Sequence, residues 1–466
     1  MNKQIIIFSI ILALIFIFLL FPGSSYAATL YIDSAQPDDF GIGTSWATAK
    51  KTIQAGADLL NSGDTLKIKT GSYSAFYLRN RNFSSWTTIE TDNGTGSPGL
   101  VTISGSVTSG YNVSNQTVVD IQNVSYLKID GRQPSGFTIM PNASFGIIAW
   151  YWSPVSYMAI LNTDVIGSVV GTGDASAIMI YEYNNVEIGY CRINTTGSAF
   201  LIEIVGAGTG DPNTINGGSV HHCDIQGNTG DGYSAISITR FGQAEVYDNY
   251  IHNVRANAGT GSTLMRVRNG HDNKFYNNVL LVDSGTTIRN FFQWRGSSDG
   301  TGISNRNQYY NNTGIIEGSL AGSVLQHNDI SNNNKSFNNL IIGNVITFVD
   351  TWGALISGSN NELYNNVVTG NLNRWFDDAS AVANFSVTSG GTSNQGTAFI
   401  NFSGNKPSPY YELTASYDGS SLGAPALDYN GANRISPPDV GAFEYISGGP
   451  LPDTTPPSSP TGLAVQ

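Results

Sequence analysis

Through the middle of the chain, β-branched and polar residues alternate in short runs, and one phrase returns roughly every 30 residues. It reads Ile188-Gly189-Tyr190-Cys191-Arg192-Ile193, Val220-His221-His222-Cys223-Asp224-Ile225 and Val246-Tyr247-Asp248-Asn249-Tyr250-Ile251, and it returns around Asn278, Asn312, Asn339 and Asn366. Each period holds three strand-like runs and no helical periodicity. One period runs Ala235–Thr239, Ala244–Tyr247, Tyr250–Val254, with Gly, Asn and Asp at the breaks. Three strands per turn, wound repeatedly, predict an all-β fold: a right-handed parallel β-helix. A sandwich would need hairpin turns at closer spacing.

The fourth position of the phrase is Cys191, Cys223, Asn249, Asn278, Asn312, Asn339, Asn366. Coils of a β-helix lie about 4.8 Å apart, so these residues stack, and a buried Asn amide can bond to the turns above and below. Cys191 and Cys223 fill the same column as small buried residues; stacked there, they are either two thiols or a disulfide. Upstream, Ala49, Ile53, Ala57 and Leu60 share one face of a short helix.

Composition narrows the function. The net charge is −12 with only 12% charged residues, which argues against a nucleic-acid partner. Residues 1–28 read as a signal peptide: Lys3, an apolar run from Ile5 to Phe21, and Ser25-Tyr26-Ala27 as the cleavage site, with an uncleaved membrane anchor as the alternative. The body is therefore expected to be secreted or at the cell surface, as a monomer. The β-helix is assigned to 29–447, and 448–466 to a Pro-rich linker.

Leu30-Tyr31-Ile32-Asp33, Gly43-Thr44-Ser45-Trp46, Thr52-Ile53-Gln54-Ala55 and Gly63 to Tyr73 resemble the secreted bacterial right-handed β-helix proteins of the pectate-lyase-like superfamily. That resemblance implies that the Thr-Ile-Gln stretch is a capping helix. Pro438 to Tyr445 looks like the last coil of that superfamily, and Pro457 to Val465 resembles the opening of a fibronectin type III domain, which implies a longer multidomain surface protein. The superfamily hosts lyases, hydrolases, esterases and inert surface proteins, so the resemblance speaks for architecture.

The strand preceding each phrase offers an outward ladder for chemistry. With aliphatic residues inward, Glu203, Thr239, Arg266, Arg268, Gln293 and Arg295 are expected to face solvent. Arg240, Arg268 and Arg295 fall on successive coils and suit a carboxylate- or sulfate-bearing chain, hence an acidic polysaccharide as partner. Long loops, Val205–Gly218 and Gly296–Asn305, would wall a cleft floored by Arg240 and Arg268. β-Elimination needs a base, for which His271 and Lys274 beside the Arg268 coil are candidates, and a cation or Arg such as Arg268 to take up the developing charge, while Glu203 is an acid or Ca²⁺ ligand. The resemblance agrees, since lyases of that fold use Lys or Arg bases and acidic side chains around Ca²⁺. Ile148-Ala149-Trp150-Tyr151-Trp152 alternates, so either Trp150 and Trp152 or Tyr151 can face out to stack on sugar. Asn162-Thr163-Asp164 echoes part of a polygalacturonase signature whose other parts are missing, so Asp164 reads as a turn residue. The leading expectation is a polysaccharide lyase, with a glycoside hydrolase as second chemistry. The alternative is a non-catalytic carbohydrate-binding or adhesion module.

Overall fold

The computed structural model describes residues 27–111, 115–151, 157–170, 175–206, 216–229, 233–256, 262–296, 302–328, 331–352, 359–369, 372–376, 385–393, 424–436, 439 and 441–444. The expected signal sequence and the fibronectin-like stretch lie outside them. Among the described residues, no helix is long and apolar enough to cross a membrane.

The chain winds as a right-handed parallel β-helix. One coil comprises Ser234–Thr239, Gly242–Tyr247 and Tyr250–Ala256, and the next Thr263–Arg268, Lys274–Tyr276 and Val279–Val282. Each strand pairs in parallel with its counterpart one coil on, giving three ladders. On the first ladder Ile202, Ile236, Met265, Phe292, Leu325 and Val349 are successive register partners, and all six are fully buried. This aliphatic and aromatic pile is the core, and its residues sit at the positions where alternation points inward.

The asparagine column is a continuous amide ladder. Asn278 Nδ2 donates to Asn312 Oδ1 at 2.9 Å, and Asn312 Nδ2 to Asn339 Oδ1 at 2.9 Å. Each amide also reaches back to a carbonyl of the preceding coil, as Asn312 does to Phe275 O at 2.9 Å. A second ladder that the sequence reading missed runs through Asn273, Asn307, Asn334 and Asn361 with the same bonding. The residue before each ladder position turns the corner in the left-handed region: Asp248, Asn277, Asn311, Asn338 and Asn365 have φ of 54°, 54°, 51°, 52° and 50°. Asn and Asp tolerate that conformation better than other side chains. The Asn-Asn pair thus divides its work between an outward corner and an inward ladder.

Cys191 and Cys223 begin the first of these columns as free, buried thiols. Burial, and then the adjoining Cys223 thiol, push Cys191 well above the ordinary thiol range. Both are therefore expected to resist a thiol reagent in the native state. Two thiols should appear on unfolding without reductant; a count of zero would mean a disulfide.

The N-terminal end is closed by the helix Ile53–Ala57, capped by Thr52, whose hydroxyl accepts from Ala55 N. Ala49, Ile53, Ala57 and Leu60 are buried as expected. Gly56 permits the close approach: a Cβ there would lie 2.3 Å from Ile32 Cδ1. Two expectations fail. Asp164 lies within the strand Thr163–Val169, ion-paired to Arg192, because its register partner on the next coil is a cation. The C-terminal segment is not a further coil but lies across the outside of the third ladder, where Ala442 and Phe443 cover Tyr250, Val279, Leu281, Ile315 and Leu340. Apolar residues on the outer side of that ladder leave a surface that needs covering.

Candidate functional site

The outward side of the first ladder carries two neighbouring rows. One runs Met179, Glu203, Ser237, Arg266, Gln293, Gln326, Asp350; the other runs Tyr181, Val205, Thr239, Arg268, Arg295, Asn328. The expected alternation is therefore present. Full exposure is not: Glu203, Arg266 and Gln293 are 5%, 4% and 5% exposed, and Thr239 is also buried, whereas Arg268 is exposed and Arg295 half-buried.

The reason is local packing. The Arg266 guanidinium lies over the Phe200 ring at 4.9 Å, and its Nη2 donates to Ser237 Oγ at 3.1 Å. Phe200 in turn meets Tyr233 edge-on at 4.8 Å. Burial lowers Arg266 to about 10, with Glu203 opposing the shift and Arg268 and Arg295 adding to it. Glu203, Arg268 and Arg295 thus all lie close enough to act on Arg266. Gln293 Nε2 donates to Gln326 Oε1, extending the polar row one coil further.

Arg240 sits just beyond the second row, at a left-handed corner (φ 51°), with its backbone N donating to Arg268 O at 2.7 Å. Its charge and hydrogen bond act on Tyr181, one of the groups on this face; burial nonetheless raises the phenol, and Glu182 adds to the rise. Arg268 and Arg295 are register partners on adjacent coils, whereas Arg240 stands at the corner one residue past Thr239, the partner of Arg268.

His271 and Lys274 belong elsewhere on the coil. His271 lies in the bend after the first ladder, bridged to Gly242 and Asn305, with Nδ1 2.8 Å from Asp272 Oδ2. Asp272 accepts Arg306 Nε and Nη2 at 2.7 and 2.6 Å, and Arg306 holds it below the ordinary carboxylate range. Lys274 stands on the second ladder, with its ammonium 3.0 Å from Glu245. Their nearness to Arg268 in sequence hides a corner of the coil between them.

Toward the N-terminal end, the same face becomes aromatic. Trp150 points outward and packs edge-on to Tyr111 at 6.2 Å within a cluster of Phe145, Ile148, Met179 and Val205. It is 4% exposed, so its ring is covered. Tyr151 faces the core and its hydroxyl lies 2.9 Å from Asn82 Oδ1. Trp152 lies outside the described residues, as do most of the two loops expected to wall a cleft. On this face too, Arg79 Nε donates to buried Asp120 Oδ2 at 2.6 Å, while burial keeps Asp120 above the usual range despite that cation.

The sequence reading missed Ser237, Gln326, Asp350 and Asn328. Stepping one coil beyond Gln293 and Arg295 would have found Gln326 and Asn328, and a second step Asp350, but the uneven loop lengths obscured the steps. Among the described residues, no three His, Cys, Asp or Glu side chains come together as a metal cage. Glu203 has Met179 and Ser237 as its row neighbours, not acids. Among the described residues, those beside Glu203 do not fit a Ca²⁺ site.

No family model matches the chain, and no curated protein matches it. Among solved structures, it is similar to a pectate lyase at 14% identity, over 91% of this chain and 98% of that one, with a TM-score of 0.43. It is similar to a lacto-N-biosidase from Eubacterium ramulus at 11% identity, over 78% and 68% of the two chains, with a TM-score of 0.47. A periplasmic alginate epimerase matches at 10% identity over 71% and 77%, with a TM-score of 0.43. None of these likenesses carries an argument about what this chain does.

Proposed function

We propose that the protein binds an acidic polysaccharide along the outward side of the first ladder and cleaves it by β-elimination. One observation carries the reading: a chain with few charged residues places Arg266, Arg268 and Arg295 against one another on adjacent coils. Glu203 offsets part of this like charge, and an anionic chain laid along the row would offset more. Arg268, the exposed member, reaches the substrate, and Arg295 beside it meets the uronate carboxylate. Arg268, in its neutral guanidine form, takes the proton from the carbon next to the carboxylate and becomes guanidinium. A carbon–carbon double bond forms, the bond to the glycosidic oxygen one carbon further breaks, and that oxygen takes up a proton from water as it leaves. Arg295 and Arg266 stabilise the charge that develops on the carboxylate meanwhile.

A second reading, recognition without cleavage, draws support from the depth of Glu203, Arg266 and Gln293 and from the placement of His271 and Lys274 away from this face. Both readings require binding of acid. The protein is expected to bind a polyuronate and to bind the same polymer poorly once its carboxyls are esterified, with affinity falling as salt rises. Equal binding of the two polymers would sink both readings.

A further inference from the structure

The C-terminal segment follows one column of corner residues along the outside of the coils. Asn277 Nδ2 donates to Leu427 O at 2.9 Å, and Asn277 Oδ1 accepts from Arg434 Nη2 at 3.0 Å. One coil on, Asn311 Nδ2 donates to Asp439 O at 3.2 Å; one coil further, Gly441 N donates to Asn338 O at 2.6 Å. Ala442 N donates to Thr313 Oγ1 at 2.8 Å. Asp248 occupies the equivalent corner on the coil before Asn277, and there the series of asparagines is broken by an acid.

That acid is poorly served. Asp248 Oδ1 is buried with no hydrogen-bond partner. From the strap, Asp428 and Arg434 act on it; from its own side, Asn277 bonds to it and His222 Nε2 lies 3.8 Å away. Tyr190, Tyr247 and Tyr276 also feel its charge. His222 is held neutral down to about 4 by burial and by His221, so it supplies no counter-charge near neutrality. Arg434 is engaged with Glu444 Oε2 at 3.2 Å and with Asp439 O and Gly441 O at 3.1 and 2.8 Å. One strap cation thus serves Asp428, Glu444, Asp439 and Asp248.

We propose that residues 424–436, 439 and 441–444 form a proton-sensitive strap, seated firmly against the corner column in mildly acidic solution and loosened in alkaline solution, with Asp248 as the sensing group. Burial first, and then Asp428, raise Asp248 from 3.8 to about 7. Burial raises Asp428 and Glu444 in the same direction. The seated state therefore holds more protons than the released one, so seating weakens as pH climbs from the ordinary carboxylate range to about 7 and levels off above it. The sign is set by the burial of Asp248, with Asp428 adding to it, and the site of action by the acid that stands where the next coils carry amides.

Amide hydrogen exchange tests this on the full chain. Protection of Gly441 and Ala442, corrected for intrinsic exchange, is expected to fall by about a hundredfold between about pH 5 and about pH 8.5. Amides of Thr263–Arg268 in the core should keep theirs. Asp248→Asn, which restores the residue used on the next coils, should clearly reduce the fall at Gly441 and Ala442, leaving only the part that Asp428 and Glu444 contribute. Unchanged protection in the wild-type chain would overturn the strap as a pH device. An equal fall in Asp248→Asn would overturn the assignment of the sensor.

Discussion

Asn312→Ala is expected to cost about 3–5 kcal/mol of stability, a large share of what holds a domain folded. The Asn312 side chain accepts from Asn278 N and Nδ2 at 3.0 and 2.9 Å and donates to Phe275 O and Asn339 Oδ1, both at 2.9 Å. Alanine removes all four bonds inside a site that water does not reach, and each group stranded without a partner costs about 1–3 kcal/mol. Asn339 Oδ1 keeps its bond from Asn312 N, which holds the total below the simple sum. Lys335→Ala deletes only a half-exposed ion pair with Glu362 and should cost less than about 1 kcal/mol. Urea unfolding of the two variants side by side checks the contrast. Near-equal midpoints would show that the amide ladder is not what ties coil to coil.

The second large effect concerns chemistry. Arg268→Ala is expected to lower kcat/KM on a polyuronate by about 10²–10⁴-fold, the range for loss of a positioned proton acceptor. Lys274→Ala should change it by less than about threefold, since Lys274 stands on another ladder with Glu245 as partner. The two residues are six apart in sequence, so the pair separates a role set by the coil's faces from one set by proximity along the chain. If Lys274→Ala were the damaging change, the reactive face would be the second ladder.

Much of the fold was legible because a β-helix repeats one solution. Asn249, Asn278, Asn312, Asn339 and Asn366 recur at a spacing close to one coil, and the three strand-like runs around them match the three ladders. The Asn273 ladder escaped notice because its members follow a bend of varying sequence, His271-Asp272 on one coil and Asn305-Arg306 on the next, with no fixed phrase around them. Rows on the first ladder were legible in direction, since alternation sets which side chains point out. Their depth was not. Arg266 is covered through Phe200 and Tyr233, residues two coils and one coil back whose contact depends on tertiary packing. The strap was misread as a last coil for the same kind of reason: a closing strand and an outer cover have the same short apolar pattern, and only contacts with Val279, Leu281 and Ile315 distinguish them.

The most direct test of the central claim is to incubate the mature chain with a polyuronate panel and follow the ultraviolet absorbance of the unsaturated uronate. The account predicts growth of that signal on at least one acidic polymer, and its loss in Arg268→Ala under conditions where the variant remains folded. A flat trace across the panel, or an unsaturated product formed equally well by Arg268→Ala, would contradict it.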